Sequence, residues 1–214
     1  MEIESFTFNG FAENTYVLFD ETKECIIIDP GCNTSEEQHM LTDFIAENEL
    51  NPLRLINTHC HIDHVLGNRF VSEKYKLDLE SHAGEKVVLA ACPQVSMMYG
   101  IPYNPSPEIS KFLEEGDFIE FGNQKLKILF TPGHSPASIS LYSEDAGIVM
   151  AGDVLFQGSI GRTDLPGGDF DTLKASIEDK LYTLPDETTV FCGHGPSTTI
   201  GFEKVNNPFV KAKS

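Results

Sequence analysis

Three times along this chain a strand-like run leads to a glycine that is followed at once by a group able to ligate a metal. His134 follows Lys125–Phe130 through Thr131-Pro132-Gly133, Asp153 follows Ile148-Val149-Met150-Ala151-Gly152, and His194 follows Val190-Phe191-Cys192-Gly193. Short apolar runs bounded by turn residues read as buried β-strands. Each of these groups is therefore predicted at the C-terminal end of a strand, where functional side chains line the floor of a site. A glycine beside each lets the backbone approach a crowded centre. A further run, Leu53–Asn57, leads into Thr58 and then His59-Cys60-His61-Ile62-Asp63-His64. In an extended segment His59 and His61 share one side while Cys60 faces the other. A helical turn after His61 would bring Asp63 and His64 to the same cavity from the opposite flank. Imidazole nitrogen and carboxylate oxygen form the mixed ligand set expected for zinc or a similar first-row metal.

The remaining pattern alternates strands and helices. Thr15–Phe19 and Cys25–Ile28 are β-rich runs around the turn Asp20-Glu21-Thr22-Lys23, and Asp29-Pro30-Gly31 stops the second. Ser35 and Gln38 have the spacing of a capping box, and Met40, Leu41, Phe44 and Ile45 mark one helical face. Residues 84–99 read as a helix followed by a proline-rich loop. Strands are predicted at Phe118–Phe121, Lys125–Phe130, Ile139–Tyr142, Ile148–Met150 and Thr188–Cys192. Phe170, Leu173, Ile177 and Leu181 recur at helical spacing. Sheets covered by helices, an α/β or α+β sandwich, fit this order. No linker divides the 214 residues, so a single domain over 1–214 is expected.

Composition narrows the partners. Fifteen Lys and Arg stand against 33 Asp and Glu, a net charge of −18. Nucleic acids and anionic membranes both need cationic surface, so neither is expected. No run reaches the roughly 18 apolar residues of a membrane span, and Met1–Phe6 lacks the features of a secretory signal. A cytoplasmic location follows. The five cysteines are odd in number and form no C-x-x-C pair, which favours reduced thiols over a disulfide framework.

His59-x-His61-x-Asp63-His64 with His134, Asp153 and His194 resembles the ligand set of the metallo-β-lactamase-fold hydrolases. Ile28-Asp29-Pro30-Gly31 and Thr131-Pro132-Gly133-His134-Ser135 look like the same family, and the resemblance runs from about residue 3 to 208. It implies an αββα sandwich and two divalent metal ions, zinc first, with iron or manganese compatible. By that resemblance His59, His61 and His134 hold one ion, Asp63, His64 and His194 hold the other, and Asp153 bridges. Asp63 and Asp153 then act catalytically with a metal-bound hydroxide available at neutral pH. Asp29 reads either as an orienting group behind a ligand or as a turn-forming residue before proline. His82 and His39 read as packed or surface histidines.

Gly158–Asp169, with Gly161-Arg162-Thr163-Asp164, is similar to the glyoxalase II-like hydroxyacylglutathione hydrolases, especially their short bacterial branch. Gly193–Gly201 and Asn207-Pro208-Phe209 point the same way. The resemblance implies hydrolysis of a small thioester, with glutathione thioesters such as S-lactoylglutathione among the candidates. Arg162 either faces an anionic substrate or pairs with Asp164 to hold its loop. Classical members carry a C-terminal helical extension that grips glutathione, and no counterpart is expected here. The alternative is a persulfide dioxygenase-like enzyme with one iron on two histidines and a carboxylate; Pro166-Gly167-Gly168-Asp169 favours the hydrolase. A secreted β-lactamase, a nuclease with an inserted domain and a flavodiiron protein fit less well, as does a non-enzymatic metal-binding module.

Overall fold

Ile26, Ile27 and Ile28 are all buried, which places their strand inside a sheet covered on both faces. The computed structural model describes residues 1–212 and divides into two compact units. The first comprises residues 1–113 and 120–125. It runs β1 (Glu2–Phe8), β2 (Glu13–Phe19), β3 (Glu24–Ile28), α1 (Ser35–Glu47), β4 (Asn51–Ile56), α2 (Ile62–Val65), α3 (Asn68–Tyr75), β5 (Leu79–Ser81), a 3-10 turn at Ala83–Glu85, α4 (Lys86–Tyr99) and β6 (Ile109–Phe112). These strands form one sheet in sequence order. The β1-β2-β3 part is antiparallel, and β3 through β6 are parallel. Ile28 pairs with Ile56, so Asp29 and Asn57-Thr58-His59 leave the sheet from the same end.

Helix α1 begins one residue earlier in its capping than the Ser35/Gln38 spacing suggested. Thr34 Oγ1 accepts from Glu37 N at 3.2 Å, and the Glu37 carboxylate accepts from Thr34 N at 2.9 Å. Glu37 also collects Asn9 N at 2.6 Å and Asn33 N at 2.8 Å. An anion gathering several N–H donors at a helix start outcompetes a neutral glutamine. Of the expected apolar face, Leu41 and Ile45 are buried and Met40 is exposed. Leu41 and Ile45 share a core with Val17, Ile27, Leu55 and Val71. The 120–125 turn joins this unit through Asp20, which accepts Asn123 N at 2.7 Å and Gln124 Nε2 at 3.0 Å.

The second unit comprises residues 114–119 and 126 onward. Its elements, apart from the 120–125 turn between the first two strands, are β7 (Phe118–Phe121), β8 (Gln124–Phe130), β9 (Ile139–Ser143), β10 (Ile148–Gly152), β11 (Leu155–Phe156), β12 (Ser159–Ile160), α5 (Phe170–Asp179), β13 (Thr189–Cys192), β14 (Thr198–Thr199) and α6 (Ile200–Asn206). The main sheet has the order β14-β13-β10-β9-β8-β7. Strand β9 is antiparallel to both β8 and β10, and β10 is parallel to β13. Strands β8, β10 and β13 therefore all run the same way. Their C-terminal ends share one edge of the sheet, from which the chain continues to His134, Asp153 and His194. Gly193 N donates to Gly152 O at 2.8 Å and ties two of these exits together. Leu173 and Ile177 of α5 pack with Leu129, Val149 and Val190. Phe170 is exposed; as the first helical residue it precedes the turn that meets the core.

All five cysteines are buried free thiols. Burial pushes Cys25, Cys32, Cys92 and Cys192 up to about 12, and Cys60 well above the usual thiol range. Since the thiolate is the reactive form, a thiol-specific chromogenic reagent is expected to find almost no reactive cysteine in the native protein and all five after denaturation. Rapid labelling of the native state would contradict this burial. No helix among the described residues is long and apolar enough to cross a membrane.

Candidate metal-binding clusters

In the first unit the chain leaves β4 extended, and His61 caps α2 with φ −64° and ψ 154°. The expected turn is thus present, and Asp63 and His64 lie on α2. The His59 ring centroid lies 4.9 Å from that of His61 and 4.1 Å from that of His64. Cys60 points the other way into the core, and its N–H donates to Glu85 Oε2 at 2.8 Å. His64 Nε2 is 3.6 Å from Asp63 Oδ2.

Behind these rings sits Asp29, nearly fully buried. Its Oδ1 accepts Thr58 N at 2.7 Å and Asn57 Nδ2 at 3.3 Å, and its Oδ2 accepts Thr58 Oγ1 at 2.6 Å. Because the Thr58 hydroxyl proton goes to Asp29, the His59 Nδ1 lying 3.2 Å from Thr58 Oγ1 is the donor of that contact. Asp29 Oδ2 also lies 3.2 Å from His64 Nδ1, which favours a proton on that nitrogen. Both rings thereby present Nε2 as the basic nitrogen. Asp29, His59 and His64 offer ligand atoms within 4.8 Å of one another. The Asp29 oxygens already serve these donors, a geometry that suits an orienting role behind the two rings.

Glu13 is a neighbour that sequence reasoning missed. It is completely buried, accepts Thr15 Oγ1 at 3.0 Å, and its Oε1 lies 3.9 Å from His64 Nδ1. Burial pushes its carboxyl well above the usual range, His64 opposing that rise. Its place at the start of β2, where every residue from Glu13 to Phe19 is buried, shows why the acid is enclosed. A side chain at Gly31 would strike Glu13, Asn9 and the Asp63 carbonyl, so the glycine after Asp29-Pro30 is needed for close approach.

In the second unit His134 and Asp153 are nearly buried, and His194 is about one quarter exposed. Asp153 Oδ2 lies 3.5 Å from His134 Nε2 and 3.4 Å from His194 Nε2. These separations exceed an ordinary charged hydrogen bond. They match the edge of a tetrahedron with metal–ligand bonds of roughly 2.1 Å, about 3.4 Å. One carboxylate oxygen with an imidazole nitrogen on each side is the donor chemistry that a bridging ligand needs, so the residues fit the implied ions.

The Gly161-Arg162 segment acts here through its backbone. His134 Nδ1 is 2.8 Å from Arg162 O, so Nδ1 donates and Nε2 turns towards Asp153. A side chain at Gly161 would collide with the Asp153 carbonyl and the His134 ring. The Arg162 side chain itself pairs with Asp164, Nε to Oδ1 and Nη2 to Oδ2 both at 2.7 Å. That fork holds the exposed Asp164 carboxyl down to about 2. Asp169 caps α5, accepting Thr172 N at 2.7 Å. His82 accepts Gly84 N at 3.1 Å and caps the 3-10 turn, while His39 is exposed on α1. His59, His61, Asp63 and His64 thus cluster in the first unit, and His134, Asp153 and His194 in the second.

The model of the metallo-β-lactamase superfamily matches residues 9–194. The chain is 43% identical over 204 residues to the probable metallo-hydrolase YqgX of Bacillus subtilis, covering 94% of this chain and 93% of that protein. It is 36% identical to the hydroxyacylglutathione hydrolase GloC of Haemophilus influenzae over the full length of both. Among solved structures, TTHA1623 in a di-iron-bound form superposes with a TM-score of 0.88 at 34% identity, covering 97% of this chain and all of that one. The fold, the histidine- and aspartate-bearing strand ends and these matches agree: the chain belongs to the metallo-β-lactamase superfamily.

Proposed function

We propose that this superfamily member is a thioester hydrolase of the glyoxalase II kind, acting on small acyl thioesters such as S-lactoylglutathione. The observation that carries the proposal is Asp153 Oδ2 set between His134 Nε2 and His194 Nε2. His59, His61 and His134 would hold one ion, and Asp63, His64 and His194 a second, with Asp153 bridging. When bound, two such cations supply Lewis acidity and lower the pKa of water to near neutrality. Zinc suits the donors best, and iron or manganese is compatible. The glutathione link comes from the name of GloC alone.

The chain's own groups set the geometry. Arg162 O holds the His134 proton on Nδ1. Thr58, itself held by Asp29, does the same for His59. Orientation of this kind fixes which nitrogen each ring offers before substrate arrives. Asp63 and Asp153 would hold the cations by their negative charge, and the positive charge left on the cations would stabilise the carbonyl oxygen as it becomes anionic.

Anaerobic purification with metal analysis, followed by assays on glutathione and coenzyme A thioesters, tests the reading. Two ions per chain and thioester turnover without oxygen uptake are expected. One iron with stoichiometric oxygen consumption on glutathione persulfide would replace the hydrolase with the dioxygenase. Arg162 enters the proposal as the cation facing an anionic carrier. Arg162→Ala is expected to raise KM for glutathione thioesters several-fold, leaving kcat and metal content unchanged. The metal is insulated from that substitution because position 162 holds His134 through its carbonyl. An unaltered KM would leave Arg162 as a loop tie to Asp164.

A further inference from the structure

A cavity of about 350 Å³ opens in the first unit beside Asn9, Phe11, Leu66, Tyr99 and Ile101, with Glu37 at its polar edge. That volume is at the lower end of small-molecule sites. It is connected to the proposed ligand segment: Asn9 Nδ2 donates to the Asp63 carbonyl at 3.0 Å and to the Gly31 carbonyl at 3.1 Å. The same side chain accepts Phe11 N at 3.0 Å. Asn9 itself has a left-handed backbone, φ 53°, which asparagine tolerates better than most residues. One residue therefore fastens the cavity rim to Asp63 and sets the position of Phe11.

Across the mouth, Phe11 and Tyr99 meet edge to face with centroids 5.7 Å apart, although they are 37% and 55% exposed. Met97 and Met98, which precede Tyr99 on α4, are more exposed still, at 75% and 77%. Aromatic and methionine side chains left on a surface beside a cavity suit an apolar ligand of variable shape. The polar edge argues against an anion. The start of α1, elsewhere a ready anion site, is already served: Glu37 takes the N–H groups of Asn9, Asn33 and Thr34, and Thr34 takes that of Glu37. These backbone donors hold the Glu37 carboxyl below the usual range against its partial burial, so it stays negative. Among the described residues no lysine or arginine lines the cavity.

We propose that this cavity receives the uncharged, apolar acyl arm of the substrate, with Phe11 and Tyr99 setting acyl-chain preference and Asn9 as a positioning residue. The identification of the arm as acyl rests on the thioesterase reading; the preference of the cavity for an uncharged apolar arm does not. The test uses S-ethyl, S-butyl and S-hexyl thioethers of N-acetylcysteamine, which cannot be hydrolysed, titrated calorimetrically into the metal-loaded protein. Affinity is expected to rise by about fourfold per methylene, the value for full burial of a CH₂ group. A carboxylate at the end of the hexyl arm is expected to weaken binding more than tenfold. Phe11→Ala/Tyr99→Ala should flatten the chain-length series while metal content and melting temperature stay unchanged. Tyr99→Phe, which keeps the ring contact, should preserve the series. Absent binding, a flat series in the parent protein, or an unchanged slope in the double variant would overturn the proposal. Because thioethers are not turned over, absence of thioester hydrolysis with a steep series would remove the thioesterase reading alone.

Discussion

Asp153→Ala is expected to abolish thioester turnover and strip metal from the protein, the largest loss any single substitution here should cause. Its Oδ2 is the atom that stands between His134 Nε2 and His194 Nε2. Without it, two imidazoles face each other with no anion between them. Loss of partners that merely orient ligands costs about 10–100-fold in metal affinity, so loss of a shared ligand should exceed about 100-fold. A bound cation contributes several kcal/mol to stabilising an oxyanion. kcat/KM should therefore fall by about a thousandfold or more. Asp153 lies at the end of β10 outside the apolar core, so the metal-free variant should melt close to the metal-free parent. Metal analysis and chelator-treated melting curves check both parts. Full metal content with an inactive enzyme would confine Asp153 to a later step, and unchanged turnover would remove it from the site.

Asp29→Ala should damage folding and metal binding together. The substitution leaves Thr58 N and the Thr58 hydroxyl without their acceptor in a buried environment, while Asn57 Nδ2 keeps the His64 carbonyl at 3.0 Å. Each stranded donor costs about 1–3 kcal/mol, and partial relaxation brings the expected total to roughly 3–5 kcal/mol. Alanine is also strained at φ 49°, a conformation that aspartate and asparagine accept more readily. His59 loses its indirect hold and His64 its neighbouring carboxylate, so metal affinity should fall by about 10–100-fold. Asp29→Asn, which keeps one acceptor oxygen and the backbone preference, should lie between parent and alanine variant in both measurements. Denaturant unfolding of the metal-free protein and competition with a metal-sensitive dye read the two effects separately. A stable alanine variant with parental metal affinity would reduce Asp29 to a turn former.

Much of this is legible in the sequence because period and punctuation coincide with chemistry. Strand-like runs leading to a glycine gave the strand ends that carry His134, Asp153 and His194, and β7 matches its expected bounds at Phe118–Phe121. The extended-then-helical path through His59 to His64 followed from side-chain alternation and one turn. The rest depended on contacts between residues distant in sequence, which local pattern does not encode. Glu37 displaced Gln38 in the α1 cap because Asn9, 28 positions away, adds another donor. Glu13 precedes the expected Thr15–Phe19 strand, and the longer β2, paired with β1 through Glu13 and Phe8, buries it beside His64. The Gly161-Arg162 segment was read through its guanidinium, whereas its closest tie to the ligands is a carbonyl that every residue type possesses.

That carbonyl has an evolutionary consequence. A backbone atom survives substitution of its side chain, so the hold on His134 is invisible to mutation at position 162 as long as Gly161 keeps the path open. On the proposed role of Arg162 towards an anionic carrier, position 162 could change with the carrier's charge while the His134 imidazole stays in register. A lineage that exchanged one thiol carrier for another could adapt there by single substitutions, without passing through forms that had lost their metal.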